Sequence, residues 1–231
     1  EDILYSARPH IGTDLLRGVL KEARGRLIAL GGEVRFEHKA IGLTLRDGRV
    51  AAVRVAAPTS EQPVALETDA VYLAIGHSAR DTYAWLRALG VPMQPKPFAM
   101  GVRIEHRQAM INRAQYGAAA NHPALPAADY KLNVPTPDER GVYTFCMCPG
   151  GQVINASSER GLLNVNGMSL HARGGDNANA ALLVGVRPAD FGSDDPLAGV
   201  ELQRKIERMA FDVAGGYCAP CQRVEDFLAK R

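Results

Sequence analysis

The sequence predicts an α+β fold, and three observations carry that prediction. Residues 13–30 place Leu15, Leu16, Val19, Leu20, Ala23, Leu27 and Ile28 at helical spacing. Residues 44–55 form two alternating stretches about Asp47-Gly48, a two-residue hairpin signal. Beyond Pro97, short apolar segments recur between Gly-, Pro- and Asn-rich turns, the texture of antiparallel sheet with helices at its edges.

The elements follow in order. Thr13 and Asp14 supply start signals for the first helix and Gly31-Gly32 stops it. Residues 33–38 alternate as a strand does, the hairpin follows, and residues 64–66 add a short extended piece. The run Ala70-Val-Tyr-Leu-Ala-Ile-Gly76 is apolar and bounded by turn chemistry, the pattern of a buried strand. Gly76 permits a backbone path that a side chain would resist, and Ser78 with Asp81 three places on matches a capping box. A helix then runs past Trp85 and Leu86 to Gly90. A strand-turn-helix corner is where open α/β sheets approach ligands, although the same spacing also describes a structural turn.

Val91-Pro-Met-Gln-Pro-Lys-Pro97 holds three prolines in seven residues and cannot be regular structure. A domain boundary is expected there, dividing the chain into 1–91 and 92–231. After it, residues 98–106 read as a strand, 108–116 as a short helix and 121–140 as a long Pro- and Ala-rich connection. Residues 141–148, 152–157, 162–165 and 180–186 supply further strands. Pro196, after Asp194 and Asp195, suits a first helical turn, and Leu197, Val200, Ile206, Met209 and Val213 form a helical face that stops at Gly215-Gly216.

The 231 residues, 46% of them hydrophobic, suffice for a proper core. Lys and Arg number 27 against 25 Asp and Glu, with no basic block to track a phosphate backbone, which argues against a nucleic-acid partner and against an RNA-binding module. No apolar run approaches the roughly 20 residues that span a bilayer, and no signal-peptide pattern opens the chain, so a cytoplasmic protein without a membrane partner is expected. The start at Glu1-Asp2, running promptly into a motif-like stretch, reads as the middle of a longer protein.

Four cysteines stand as Cys146-Met-Cys148 and Cys218-Ala-Pro-Cys221. Two such pairs can converge on a tetrahedral zinc, and Cys218 with Cys221 can form a redox dithiol. Against both, Cys146 and Cys148 alternate along an expected strand and so face one side, as small core residues do. Within residues 98–106, Arg103 and Glu105 share one face and Val102, Ile104 and His106 the other. Arg103 offers a planar fork to an anionic substrate or a flavin edge; its alternatives are a solvated face or a pair with Glu105. His10, His77, His106 and His171 show no metal spacing and read as structural or surface residues. Met147-Cys-Pro-Gly-Gly151 and Gly174-Gly-Asp-Asn-Ala-Asn179 are glycine-rich loops whose backbone can approach a ligand closely. G-x-G-x-x-G and G-x-x-x-x-G-K-[ST] are both absent from the sequence, so a phosphate cradle of either kind is not encoded here.

Several longer blocks are family-specific. Tyr5-Ser-Ala-Arg-Pro-His-Ile-Gly-Thr-Asp-Leu-Leu16, Ala74-Ile-Gly-His-Ser-Ala-Arg-Asp-Thr82, Pro95-Lys-Pro-Phe-Ala-Met-Gly-Val-Arg-Ile-Glu-His106, Ile111-Asn-Arg-Ala-Gln-Tyr-Gly117, Tyr143-Thr-Phe-Cys-Met-Cys-Pro-Gly-Gly151 and Asn166-Gly-Met-Ser-Leu-His-Ala-Arg173 resemble the bacterial FAD-dependent, or NAD(FAD)-utilizing, dehydrogenases. The resemblance runs from Leu4 to about Leu228. It implies a flavoprotein of the glutathione-reductase-like kind, of which this chain is a central fragment lacking both terminal FAD-binding segments. It also implies partial FAD-domain elements in 1–91 and an inserted substrate domain in 92–231. Hydride transfer through FAD to or from an unknown small molecule would belong to the full-length protein, with the fragment inactive alone. On this pattern Gly76, His77 and Ser78 would lie beside the cofactor, and Arg103, Cys148, Gly150 and Gly151 would line the substrate pocket. No catalytic residue and no metal ligand is implied. The alternative is a small binding domain clipped by four-cysteine zinc, although Cys218 and Cys221 fall outside the family pattern.

Overall fold

The computed structural model describes residues 10–58 and 60–231. Tyr5 to Pro9 of the first family block therefore lie outside the described residues. The fold is α+β, with every strand pairing antiparallel.

Helix α1 (Thr13–Ala29) leads to a three-stranded meander, β1 (Lys39–Arg46), β2 (Arg49–Ala56) and β3 (Val64–Glu67), in the order β1-β2-β3. The hairpin turns at Asp47 and Gly48, both with positive φ, which matches the right-handed twist of the flanking strands. Helix α2 (Arg80–Ala88) follows. Residues 91–97 have no regular structure, and β4 (Phe98–Arg107) runs straight into α3 (Gln108–Tyr116). The central sheet has the order β4-β9-β6-β5, from β5 (Asn133–Val134), β6 (Val142–Cys148) and β9 (Asn177–Val186). A two-stranded ribbon, β7 (Gln152–Asn155) with β8 (Val165–Met168), stands against it, and α4 (Ala198–Ala214) and α5 (Val224–Leu228) complete the chain. The core lies at the sheet centre, where Ala178, Ala180 and Ala181 of β9 are buried together with Leu162, Leu163, Ile111 and Ala128.

Four expectations need correction. Residues 33–38 are not a strand: no described residue pairs with them as a strand, and Phe36 and Glu37 form a turn with positive φ at Glu37. Residues 70–76 are neither buried nor a strand, and Tyr72 is 96% exposed. An extended apolar run becomes a strand only beside a hydrogen-bonding neighbour, and none stands beside it among the described residues. The capping box at Ser78 and Asp81 does not form: α2 starts two residues after Ser78, its N-cap Ala79 has no side-chain bond, and Asp81 accepts from the Thr82 N–H at 2.9 Å while pairing with Lys39. The strand expected at 162–165 starts later, at Val165, leaving Leu162 and Leu163 to fill the core from a loop.

Helix α2 is tied to α4 by the Arg80 guanidinium, only 5% exposed, which donates to Glu159, Glu207 and Gln203. Glu159 also accepts from Arg204, and Arg87 pairs with Asp195. The Glu207 and Glu159 carboxylates hold the Arg80 pKa above its usual value against the opposing effect of burial.

Candidate functional site

The two glycine loops named from sequence meet. A Cβ on Gly150 would fall 1.9 Å from the Arg173 carbonyl oxygen, and one on Gly175 would fall 2.4 Å from the Gly150 carbonyl oxygen. Gly150 also carries φ 57, where side chains are strained. Glycine is therefore required by both conformation and contact. Beside this crossing lies a cavity of about 230 Å³ lined by Gly151, Gln152, Gly175, Asp176 and Asn177.

Gln108, the first residue of α3, clamps the crossing. It is buried, its Oε1 accepts from the Gly150 N–H at 2.9 Å, and its own N–H donates to the Asp176 carbonyl at 2.8 Å. Its Nε2 donates to Asn112 Oδ1 and to the Ala128 carbonyl. One residue, through its side chain and its backbone N–H, thus fixes both glycine loops and the long connection, a role invisible in sequence because Ala128, Gly150 and Asp176 all lie 20 or more residues downstream.

Arg103 forms a second hub. Its Nη1 donates to the Cys146 carbonyl at 3.1 Å and to Asn179 Oδ1, its Nη2 donates to Asn166 Oδ1 at 3.0 Å, and the Cys148 sulfur lies 3.9 Å from Nη1. All of these partners are neutral. The pair with Glu105 does not form, since Glu105 accepts instead from Asn177 Nδ2. Asn179 is fully buried and its Nδ2 has no hydrogen-bond partner among the described residues. Gly167 is the lid over this pair, because a Cβ there would fall 2.2 Å from both Arg103 Nη1 and Asn179 Oδ1.

Cys146 and Cys148 do not face one side as expected. Between Phe145 and Cys148 the β6 register against β9 slips, with Phe145 opposite Ala181 and Cys148 opposite Asn179. Three steps on β6 thus oppose two on β9, a bulge, with Cys146 at φ 47. Cys146 is exposed and Cys148 buried. Burial and the neighbouring Cys146 push the Cys148 thiol pKa up, while Arg103 pulls it down. Cys218 and Cys221 are exposed free thiols. Among the described residues, no group of three or more His, Cys, Asp or Glu side chains is placed to hold a metal, so the four-cysteine clip does not assemble.

The first and last family blocks also meet. The Thr13 N–H and hydroxyl both donate to the Ser169 carbonyl, the His171 N–H donates to Asp14, and His171 Nδ1 lies 2.9 Å from the Ile11 carbonyl. His10 and His171 stack, and both rings are engaged with backbone carbonyls, consistent with structural roles. The His171 N–H lowers the Asp14 pKa. Asp14, read as a helix start signal, thus serves a tertiary contact. His106 is held in a third local pair, its Nε2 2.6 Å from the Tyr130 hydroxyl, with burial lowering the imidazole pKa and raising the phenol's.

The predicted residues divide into two groups. Arg103, Cys148, Gly150 and Gly151 fall in one continuous patch around the glycine crossing. Gly76, His77 and Ser78 stand apart on an exposed corner, linked to it by no hydrogen bond. Gly76 does adopt positive φ, at 70°, as the turn reading required, and its carbonyl accepts from the Tyr83 hydroxyl.

An antiparallel sheet with a helix-capped glycine crossing and an arginine hub defines the chain as an α+β domain built around a loop-made cleft. Residues 97–231 match the family model described as "FAD-dependent protein, C-terminal domain-like", and the chain belongs to that family. Over 232 aligned residues covering all of this chain, it is 50% identical to an uncharacterized protein of Clostridium beijerinckii. The chain spans 42% of that protein's length.

Proposed function

We propose that this chain is the central, substrate-domain portion of an FAD-dependent oxidoreductase, in which flavin would supply hydride transfer and these residues would shape the substrate side. The observation that carries the proposal is apolar surface left uncovered in a chain that aligns with 42% of a longer relative. Leu15, Leu16, Val19, Leu20, Leu27 and Ile28 of α1 are exposed, as are Tyr72, Leu73 and Ile75. Contiguous apolar surface of this kind is the mark of a contact face. The segments at 33–38 and 70–76, patterned as strands but unpaired, would find their neighbours in the remainder of such a protein.

The residues present do not by themselves fit a whole dinucleotide. The cavity at the glycine crossing, about 230 Å³, falls below the roughly 300 Å³ at which ligand pockets begin, the larger hollow of about 460 Å³ along α3 is lined by Arg107, Ala109, Met110, Arg113 and Ala114 without a glycine loop, and the sequence holds neither phosphate-loop motif. The division at residues 92–97 is supported by the family match, which starts at residue 97, and by the irregular Pro-rich stretch before it. In the assembled protein Gly76, His77 and Ser78 would sit toward the cofactor, and Arg103, Cys148, Gly150 and Gly151 toward the substrate. Four free cysteines support a reducing, cytoplasmic setting. No helix among the described residues is long and apolar enough to cross a membrane.

Fluorescence titration with FAD tests the reading. The isolated chain should bind FAD weakly or not at all, and the longer protein that carries it should retain FAD through gel filtration. Tight, yellow binding by the isolated chain, or a longer protein that never retains flavin, overturns it.

A further inference from the structure

We propose that Cys146 and Cys148 are a redox dithiol that exchanges with small-molecule disulfides, Cys146 as the attacking thiol and Cys148 as the resolving one. In a regular strand, residues two apart lie about 6.6 Å apart along the chain, at the outer limit for a disulfide, and their side chains stand parallel. The bulge changes this. Positive φ at Cys146 and the register slip before Cys148 bend the strand between the two, and the Cys148 thiol turns back to donate to the Cys146 carbonyl at 3.3 Å. A side-chain-bearing residue in left-handed conformation is sparsely populated and is retained where surrounding structure dictates it. Here the Arg103 bond to the Cys146 carbonyl and the Cys148 pairing with Asn179 supply that constraint.

The asymmetry of the pair assigns the roles. Cys146 is exposed and meets an incoming disulfide; Cys148 is buried and cannot. In the first step the Cys146 thiolate attacks one sulfur of R–S–S–R. A Cys146–S–S–R bond forms, the original S–S bond breaks, and R–S⁻ leaves to take a proton from water. In the second step Cys148 gives its proton to water and its sulfur attacks the Cys146 sulfur, forming the Cys146–Cys148 disulfide and expelling the second R–S⁻. The protein dithiol loses two electrons and one disulfide becomes two thiols. Burial disfavours the Cys148 thiolate that the second step requires, and Arg103 Nη1, 3.9 Å from the sulfur, partly offsets that effect. The full reaction needs no flavin, so its failure would leave the FAD reading untouched.

The test uses the full chain equilibrated with glutathione and glutathione disulfide, quenched by alkylation and digested with trypsin. The peptide spanning 141–160 carries Cys146 and Cys148 and neither of the other two cysteines. It should pass from doubly alkylated to internally disulfide-bonded in a single two-electron transition. Cys148→Ala should halt at a stable glutathione adduct on Cys146. In the reduced wild type, Cys146 should be alkylated roughly tenfold or more faster than Cys148. Should Cys148→Ala fail to fold, the wild-type peptide decides alone. A peptide that stays doubly alkylated at every glutathione ratio overturns the proposal, as does one that accumulates the mixed disulfide without closing. Alkylation of Cys148 as fast as Cys146 overturns the assignment of roles.

Discussion

Replacing Arg80 with methionine should be among the most damaging single changes outside the glycine crossing. The Arg80 side chain is 4% exposed and donates twice to Glu207 and once each to Glu159 and Gln203. Methionine fills most of the volume but strands its partners unequally. Glu159 keeps Arg204, whereas the Glu207 side chain, 13% exposed, loses its ion-pair partner. One uncompensated buried charge, rather than two, sets the cost at the lower end for a broken buried pair, about 3 kcal/mol. For a chain of this size that lowers the Tm by about 6 to 12 °C, read by circular dichroism at neutral pH. The double variant R80M/E207L removes the stranded charge and should return to within about 1 kcal/mol of wild type. R80M melting within about 1 °C of wild type, or a double variant less stable than the single one, would show that the Arg80 pairing does not stabilise the fold. The acid limb adds a check. Burial raises the Glu159 pKa, but hydrogen bonds from Arg80 and Arg204 outweigh it and hold the group below its usual 4.5. Its stabilising contribution is full above that value and is lost as pH falls through the lower folded value, so R80M should flatten this limb.

Three further outcomes are expected. Gly150→Ala combines positive φ with a contact 1.9 Å from the Arg173 carbonyl, and should cost about 2 kcal/mol or more in urea unfolding, whereas Gly192→Ala, with positive φ but open space, should cost about 1 to 2 kcal/mol. Equal costs at the two positions would show that the loop crossing is not tight. Gln108→Leu leaves the Gly150 N–H and the Ala128 carbonyl without their side-chain partner, a loss of about 1 to 3 kcal/mol, and should speed hydrogen exchange at the Gly150 amide; an unchanged exchange rate would show that the clamp is not used. Asp190, held by Arg140 and by the Arg187 N–H, should titrate at about 2 by carboxyl NMR. Its contribution is therefore present above about pH 4, the unfolded value, and is lost as pH falls toward 2, so Asp190→Asn should weaken the acid dependence of unfolding. A measured pKa near 4 would remove the Arg140 pairing from solution.

Where the sequence was legible, the signal was local. Asp47-Gly48 carries its turn in two residues, Gln108 to Tyr116 carries its helix in its own periodicity, and the prolines of residues 92–97 forbid structure without reference to anything else. Residues 33–38 and 70–76 misled for the complementary reason. Their patterns record what a strand would bury, but strand formation depends on a partner's N–H and C=O groups, which no residue in the run encodes. The same holds for α1, whose periodicity correctly marks a helix while the side chains of its apolar face stay exposed among the described residues.

At the candidate site, composition revealed the parts and topology decided their use. Paired glycines identified both loops, because only close approach or positive φ explains glycine in such runs. That the loops cross each other was not readable, since the crossing is set by Gln108 from a third element. Alternation placed Cys146 and Cys148 on one face, and the bulge overruled it by inserting a single residue. That insertion is also what separates the exposed thiol from the buried one and lets Arg103 reach the backbone between Phe145 and Met147. A regular strand at this point would leave two equivalent thiols pointing the same way. The irregularity that defeated the periodic reading is the feature that gives the two cysteines distinct chemistry.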